Sequence, residues 1–194
     1  MEPFELLKQE CGSCMLCPLG STRTNLVFGD GNEKAQIMFI GEGPGEKEDL
    51  KGVPFVGPAG QLLDMMLTLI GLDRSKVYIC NIVKCRPPRN RDPAPEEREA
   101  CSVWLNRQIA LVDPKIIVCL GRISATSLID ADFRITREHG QWFTKDGCRF
   151  LATYHPSALL RDVSKRPEAF ADFRTIRSAL RELGYLPNIA TEET

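Results

Sequence analysis

The sequence predicts an α/β fold in which a mostly parallel sheet is covered by helices on both faces. Four short apolar runs carry that prediction: Ile37-Met38-Phe39-Ile40, Val77-Tyr78-Ile79-Cys80, Ile116-Ile117-Val118-Cys119-Leu120 and Phe150-Leu151-Ala152-Thr153-Tyr154. They are continuous rather than alternating, as strands buried on both faces are. Segments with apolar residues at helical spacing separate them, and strands alternating with helices close through right-handed crossovers. The chain of 194 residues, 43% hydrophobic and 26% charged, suits one folded domain over 1–187 that includes a cysteine-bearing lead-in over 1–35, with a frayed tail over 188–194.

In chain order, Cys11, Cys14 and Cys17 open the lead-in, followed by Pro18 and a loop rich in Gly, Ser, Thr and Asn. After the first strand come Gly41-Glu42-Gly43-Pro44-Gly45 and a long loop to Gly57, then a helix from Pro58 with Leu62, Leu63, Met66, Leu67 and Ile70 on one face and Gly71 as its stop. The second strand ends at Asn81, and Lys84 to Pro95 is a Pro/Arg-rich loop. Pro95, Glu96 and Glu97 start a helix whose apolar face holds Cys101, Trp104, Leu105, Ile109 and Val112, so Cys101 is expected to point inward. The third strand stops at Gly121 before a short helix over Ile123 to Ile129. Asp130 to Gly147 reads as irregular with room for a small hairpin. The fourth strand stops at His155-Pro156, and a last helix carries Phe170, Phe173, Ile176, Leu180 and Leu183.

In such folds ligands sit outside the carboxyl ends of the strands. Glu42, Asn81 and His155 each fall just past a strand end, so the fold gathers them at one edge. The glycine loop reads either as a tight turn or as backbone that approaches a ligand closely; its length and its carboxylates Glu42, Glu48 and Asp49 favour the ligand. It is neither a P-loop nor a dinucleotide fingerprint, since no Gly-Lys-Ser/Thr follows and the glycine spacing differs. Asn81 on its own is a common strand-end residue, yet its amide offers a donor beside an acceptor, the complement of uracil's N3–H and O4 and not of cytosine. His155 is one of two histidines and can be structural or an oxyanion donor. His139 is read as a surface residue. Phe55 is a core residue or a stacking platform for an extruded base.

Net charge is −1, which gives no global field for nucleic acid or anionic membrane, so any such contact is local. Lys84, Arg86, Arg89 and Arg91 form one cationic group, and Arg161, Lys165 and Arg166 another. Each is a solvated loop or a phosphate contact. Leu159 and Leu160 are suited to wedging into a base stack. The first residues show no export signal and no later apolar run is long enough to span a bilayer, so a cytoplasmic protein with reduced thiols is expected. Among eight cysteines, Cys14 and Cys17 have metal-knuckle spacing and Cys85 and Cys101 flank the Pro/Arg loop. Four thiolates suit zinc or a [4Fe–4S] cluster, and on spacing Cys11 can replace Cys14. Cys80, Cys119 and Cys148 read as small buried apolar residues.

Three motifs in this order, Gly41-Glu42-Gly43-Pro44-Gly45 with Glu48-Asp49 and Gly52-Val53-Pro54-Phe55-Val56-Gly57, then Asn81-Ile82-Val83-Lys84-Cys85-Arg86-Pro87-Pro88, then His155-Pro156-Ser157-Ala158-Leu159-Leu160-Arg161, resemble those of the iron–sulfur (family 4) uracil-DNA glycosylases. The likeness runs from Cys14 to the last helix. It implies a three-layer αβα sandwich around a four-stranded parallel sheet, and a structural [4Fe–4S] cluster on Cys14, Cys17, Cys85 and Cys101, with Cys11 an extra. It implies a uracil pocket of Gly41, Glu42, Gly43, Phe55, Asn81 and His155 with Glu48 beside it, the base being held between Phe55 and the Gly41–Gly43 backbone. DNA contacts are expected from Lys84, Arg86, Arg89, Arg91, Ser157, Leu159, Leu160 and Arg161. Related glycosylases without a cluster carry a water-positioning aspartate where this chain has Gly43, which leaves Glu42 and Glu48 as candidates. A relative that traps its product carries a histidine-ended insertion that the loop from Cys85 to Pro95 lacks, so ordinary turnover is expected. The implied reaction is hydrolysis of deoxyuridine's N-glycosidic bond in single- or double-stranded DNA by a monomer. The sequence does not disclose partners such as a sliding clamp.

Overall fold

A computed structural model describes residues 3–187; the expected tail over 188–194 lies outside the described residues. The six strands among those residues, β1 (Asp30–Gly31), β2 (Ile37–Gly41), β3 (Tyr78–Asn81), β4 (Ile116–Leu120), β5 (Trp142–Lys145) and β6 (Cys148–Thr153), make one sheet in the order β1-β3-β2-β4-β6-β5. The four central strands are parallel, and they are the four apolar runs. The expected four-stranded sheet is extended by an antiparallel strand at each edge, β1 on β3 and β5 on β6. The β5–β6 hairpin turns at Asp146 and Gly147, both at positive φ (50° and 78°), the geometry that Asp and Gly tolerate.

Alternate residues of each central strand feed two separate cores. Met38 and Ile40 of β2 pack with Phe4, Leu7, Cys101 and Leu105, while Ile37 and Phe39 pack with Leu63, Met66, Phe173 and Ile176. One layer is therefore α1 (Pro3–Gly12) and α5 (Pro95–Val112), and the other is α4 (Pro58–Leu69) and α9 (Arg166–Glu182). Burying each Leu or Phe contributes about 1.5–3 kcal/mol, which explains why the continuous runs are strands and the amphipathic segments helices. The Glu97 carboxylate accepts the Ala94 N–H at 2.8 Å and closes the start of α5, while Asp113 at φ 49° ends it.

Smaller helices carry the loops: α2 (Leu19–Thr22), α3 (Glu46–Lys51), α6 (Arg122–Leu128), α7 (Ile135–Glu138) and α8 (Pro156–Arg161). Neither the ten-residue α1 nor α3 was expected from periodicity, because α1 exposes most of its length and α3 is an acidic single turn and a half. Among the described residues no helix is long and apolar enough to cross a membrane.

Candidate functional site

The carboxyl ends of the four parallel strands open into a cavity of about 480 Å³ lined by the loop residues Glu42 to Gly45, by Glu48 and Phe55, and by Asn81, Gly121, Tyr154 and His155. Register explains the convergence. Gly41 and Asn81 are paired residues of β2 and β3, and Leu120 and Thr153 are paired in β4 and β6, so the residues that follow emerge at one level. Gly121, at φ 89°, sits where a Cβ would meet the Cβ of His155 at 2.8 Å; the bare backbone lets the imidazole into the cavity.

His155 caps α8, and its Nδ1 accepts the Ser157 N–H at 3.1 Å with the Ser157 Oγ at 2.8 Å. An Nδ1 that accepts a backbone N–H carries no proton, so in the neutral ring the proton is on Nε2. Burial, with the Arg161 charge adding to it and Glu48 opposing it, holds the imidazole down at about 4. At neutral pH the side chain is thus an uncharged Nε2–H donor. Asn81 is buried, and its Oδ1 has no hydrogen-bond partner among the described residues. A buried amide oxygen left unpaired is costly, and it marks where a donor from outside belongs.

Phe55 is buried at φ 54°, its ring stacked on His155 with centroids 5.5 Å apart. Its edge rests directly on Gly41, where a Cβ would lie 2.6 Å from the ring and 2.5 Å from Asn81 Oδ1. No slot exists between Phe55 and Gly41, which corrects the expected clamp. Gly41 supports the ring from behind, and the backbone facing the cavity is that of Glu42 to Gly45. Gly43 is packed on Val83, where a Cβ would come within 2.8 Å of a methyl.

The two carboxylates differ in their surroundings. Glu48 Oε1 accepts the N–H groups of Val56 and Gly57 at 2.9 and 2.8 Å, so it braces the Phe55 loop and the start of α4. Glu42 accepts no hydrogen bond from the described residues; burial and the nearby Asp92 push it up to about 7, against the pull of Arg122, Arg161 and Arg98. Asp49 is buried and accepts the Thr24 and Asn25 N–H groups, holding the lead-in rather than a ligand.

The cysteines of interest gather on the other side of β3. Cys11, Cys14, Cys17, Cys85 and Cys101 line one small recess, and none of them forms a disulfide among the described residues. Three sulfurs receive N–H donors: Cys14 from Trp104 Nε1 at 3.1 Å, Cys85 from Arg23 Nη1 at 3.3 Å and Cys101 from the Lys84 backbone at 3.4 Å. Among the described residues, no three His, Cys, Asp or Glu side chains converge as ligands of a single ion would.

The family model of the Uracil DNA glycosylase superfamily matches residues 28–181. The chain is 48% identical over 186 residues to the type-4 uracil-DNA glycosylase of Archaeoglobus fulgidus, covering 91% of this chain and 92% of that one. It is 47% identical to that of Sulfurisphaera tokodaii, covering 91% and 84%, and 42% identical to that of Thermotoga maritima, covering 94% and 97%. This chain belongs to the type-4 uracil-DNA glycosylases.

For a glycosylase of this type several contacts expected from the sequence must be revised. Lys84 is 1% exposed and its Nζ donates to the Asn81 carbonyl at 2.8 Å, so it cannot reach a phosphate. Leu159 is likewise 1% exposed and packs in the core, leaving Leu160 as the exposed residue of the pair. Arg91 grips Glu97 through two bonds of 2.6 and 2.8 Å, and Ser157 is engaged with His155. Arg86 donates to Asn90 Oδ1 at 2.8 Å, and Arg89 is exposed. Arg161 lines the cavity mouth. His139 is half-buried rather than a free surface residue: it contacts Asp172 at 2.9 Å, lies 3.4 Å from Glu168 and packs on Tyr154. The glycosylase cavity also includes Gly121, Tyr154 and the Arg122–Asp92 ion pair (2.7 Å), which sequence reasoning missed. For Gly121 and Tyr154 the signal was present, since both stand at strand ends.

Proposed function

We propose that the protein is a uracil-DNA glycosylase that takes deoxyuridine out of the base stack and hydrolyses its N-glycosidic bond, releasing uracil and leaving an abasic site. The observation that carries this is one cavity in which an unpartnered Asn81 amide oxygen, the His155 Nε2–H and the Phe55 ring meet. Uracil's N3–H satisfies Asn81 Oδ1 while the amide nitrogen donates to O4; cytosine presents the reverse pattern and is refused. Phe55 supplies the apolar face on which the base rests.

As the bond to C1′ stretches, charge collects on uracil O2 and the sugar becomes oxocarbenium-like. The His155 Nε2–H stabilises that oxygen without giving up its proton, and burial keeps the ring neutral for the task. Glu42 is the better of the two acids for orienting water toward C1′, because Glu48 already holds two loop N–H groups. The proton released as water adds passes to Glu42. Arg161 and Arg89 remain for phosphates, and Leu160 for the gap left by the base.

Cys14, Cys17, Cys85 and Cys101 would hold a [4Fe–4S] cluster. Support comes from the N–H groups aimed at three of these sulfurs, which favour thiolates, and from the gathering of all four cysteines on one recess. When bound, the group supplies a cross-link between the lead-in, the end of β3 and α5; no catalytic step uses it. The deciding experiment is release of free uracil from a uracil-containing oligonucleotide, single- and double-stranded, with the thymine and cytosine versions as controls. A protein that leaves all of them intact refutes the proposal. Broad visible absorption of the purified protein tests the cluster, and a colourless protein that contains zinc alone refutes it.

A further inference from the structure

Arg74 lies in the turn between α4 and β3, outside the cavity and outside every motif in the sequence. All five of its N–H donors nevertheless have acceptors. Nε donates to Asp64 Oδ1 at 2.8 Å, Nη1 to Asp30 Oδ2 at 3.1 Å and to the Pro54 carbonyl at 3.0 Å, and Nη2 to Asp64 Oδ2 at 3.4 Å and to the Phe55 carbonyl. The two carboxylates, one from β1 and one from α4, fix the guanidinium, which then holds two successive carbonyls of the loop. One of those belongs to Phe55, whose φ of 54° is a conformation that an aromatic residue keeps only when its surroundings enforce it. From the other side that carbonyl presses on Gly60, where a Cβ would stand 1.7 Å from the oxygen. The ring beyond this backbone is the one stacked on His155 and seated on Gly41.

We propose that Arg74 is a positioning residue for base recognition: it locks the Phe55 backbone and thereby sets the plane and height of the ring on which the extruded uracil lies. The inference rests on the glycosylase reading. Arg74 touches neither substrate nor reacting atoms. Lysine cannot replace it, because a single ammonium cannot span two carbonyls and two carboxylates in fixed geometry.

The test is a double-mutant cycle on single-turnover uracil release, with affinity for an abasic oligonucleotide measured alongside. Arg74→Lys is expected to lose about 10- to 100-fold in rate, the scale of a misplaced reacting geometry, while affinity stays within about threefold. In a Phe55→Ala background the same substitution is expected to cost nothing further, since the ring it positions is gone. Asp64→Asn, which loosens the guanidinium, is expected to show a smaller loss, about 3- to 10-fold, that also vanishes in the Phe55→Ala background. If Arg74→Lys does not fold, the Asp64→Asn cycle decides alone. Wild-type rates in the single variants, or equal losses in both backgrounds, overturn the proposal and leave the glycosylase reading intact. A wild-type protein that releases no uracil overturns both.

Discussion

Glu42 gives the glycosylase a pH limb whose position follows from its surroundings. Burial and Asp92 push its carboxyl up to about 7, and the task assigned to it requires the ionised form. The single-turnover rate is therefore expected to be flat above about pH 8 and to fall below pH 7, by about tenfold per unit at the low end, where ionisation becomes the limiting fraction. At pH 6 about one enzyme in ten is competent. His155 adds no limb in this range, since its imidazole is held down at about 4 and stays neutral. Glu42→Gln removes the limb and lowers the plateau by about 10²-fold, within the usual range for a positioned base. Stability runs the opposite way. An acid whose folded value lies above its unfolded one destabilises the fold at high pH and is relieved as pH falls through the folded value. Glu42→Gln is expected to unfold at a higher temperature than wild type at pH 8, the difference shrinking from pH 7 downward and gone near pH 4. The measurements are rapid-quench uracil release from pH 5 to 9 and thermal unfolding of both proteins from pH 4 to 9. A limb that persists in Glu42→Gln, or a variant less stable than wild type at pH 8, refutes the reasoning.

Other substitutions test the remaining parts. His155→Ala should lose ~100-fold or more in single-turnover rate, the cost of removing an oxyanion donor, with DNA affinity little changed; an unchanged rate dismisses the Nε2–H assignment. Asn81→Asp should raise the ratio of cytosine to uracil release, because a carboxyl group can meet cytosine's amino group and, when protonated, its N3; undiminished selectivity in a competition assay counts against edge reading. Cys101→Ser should lower visible absorption and iron content together and reduce the unfolding temperature; full iron occupancy in that variant removes Cys101 from the ligand set.

The parts of this molecule that were legible in its sequence share a cause. Continuous apolar runs such as Ile116 to Leu120 have one stable fate in a chain with intervening helices, and strand-end positions then follow from topology, which placed Asn81 and His155 correctly at one edge. What stayed hidden was decided by partners that neither periodicity nor a motif displays. Lys84 sits among cations in the sequence, yet its amine is taken by a carbonyl three residues back inside the core. Glu48 looks like a catalytic acid until Val56 and Gly57 claim its oxygen. Arg74 has no motif because its acceptors come from Asp30, Pro54, Phe55 and Asp64. His139 looks exposed in the sequence because Asp172, 33 residues later, is invisible to local pattern.

Lys84 is one of the links between the thiol recess and the end of β3. Its backbone N–H reaches the Cys101 sulfur and its side-chain amine reaches the carbonyl of Asn81, so three consecutive peptide units tie the thiol recess to the base-reading amide. Removing the Lys84 amine would leave the Asn81 carbonyl inside the core without that donor, a loss of about 1–3 kcal/mol, so this cation serves the fold and not the DNA.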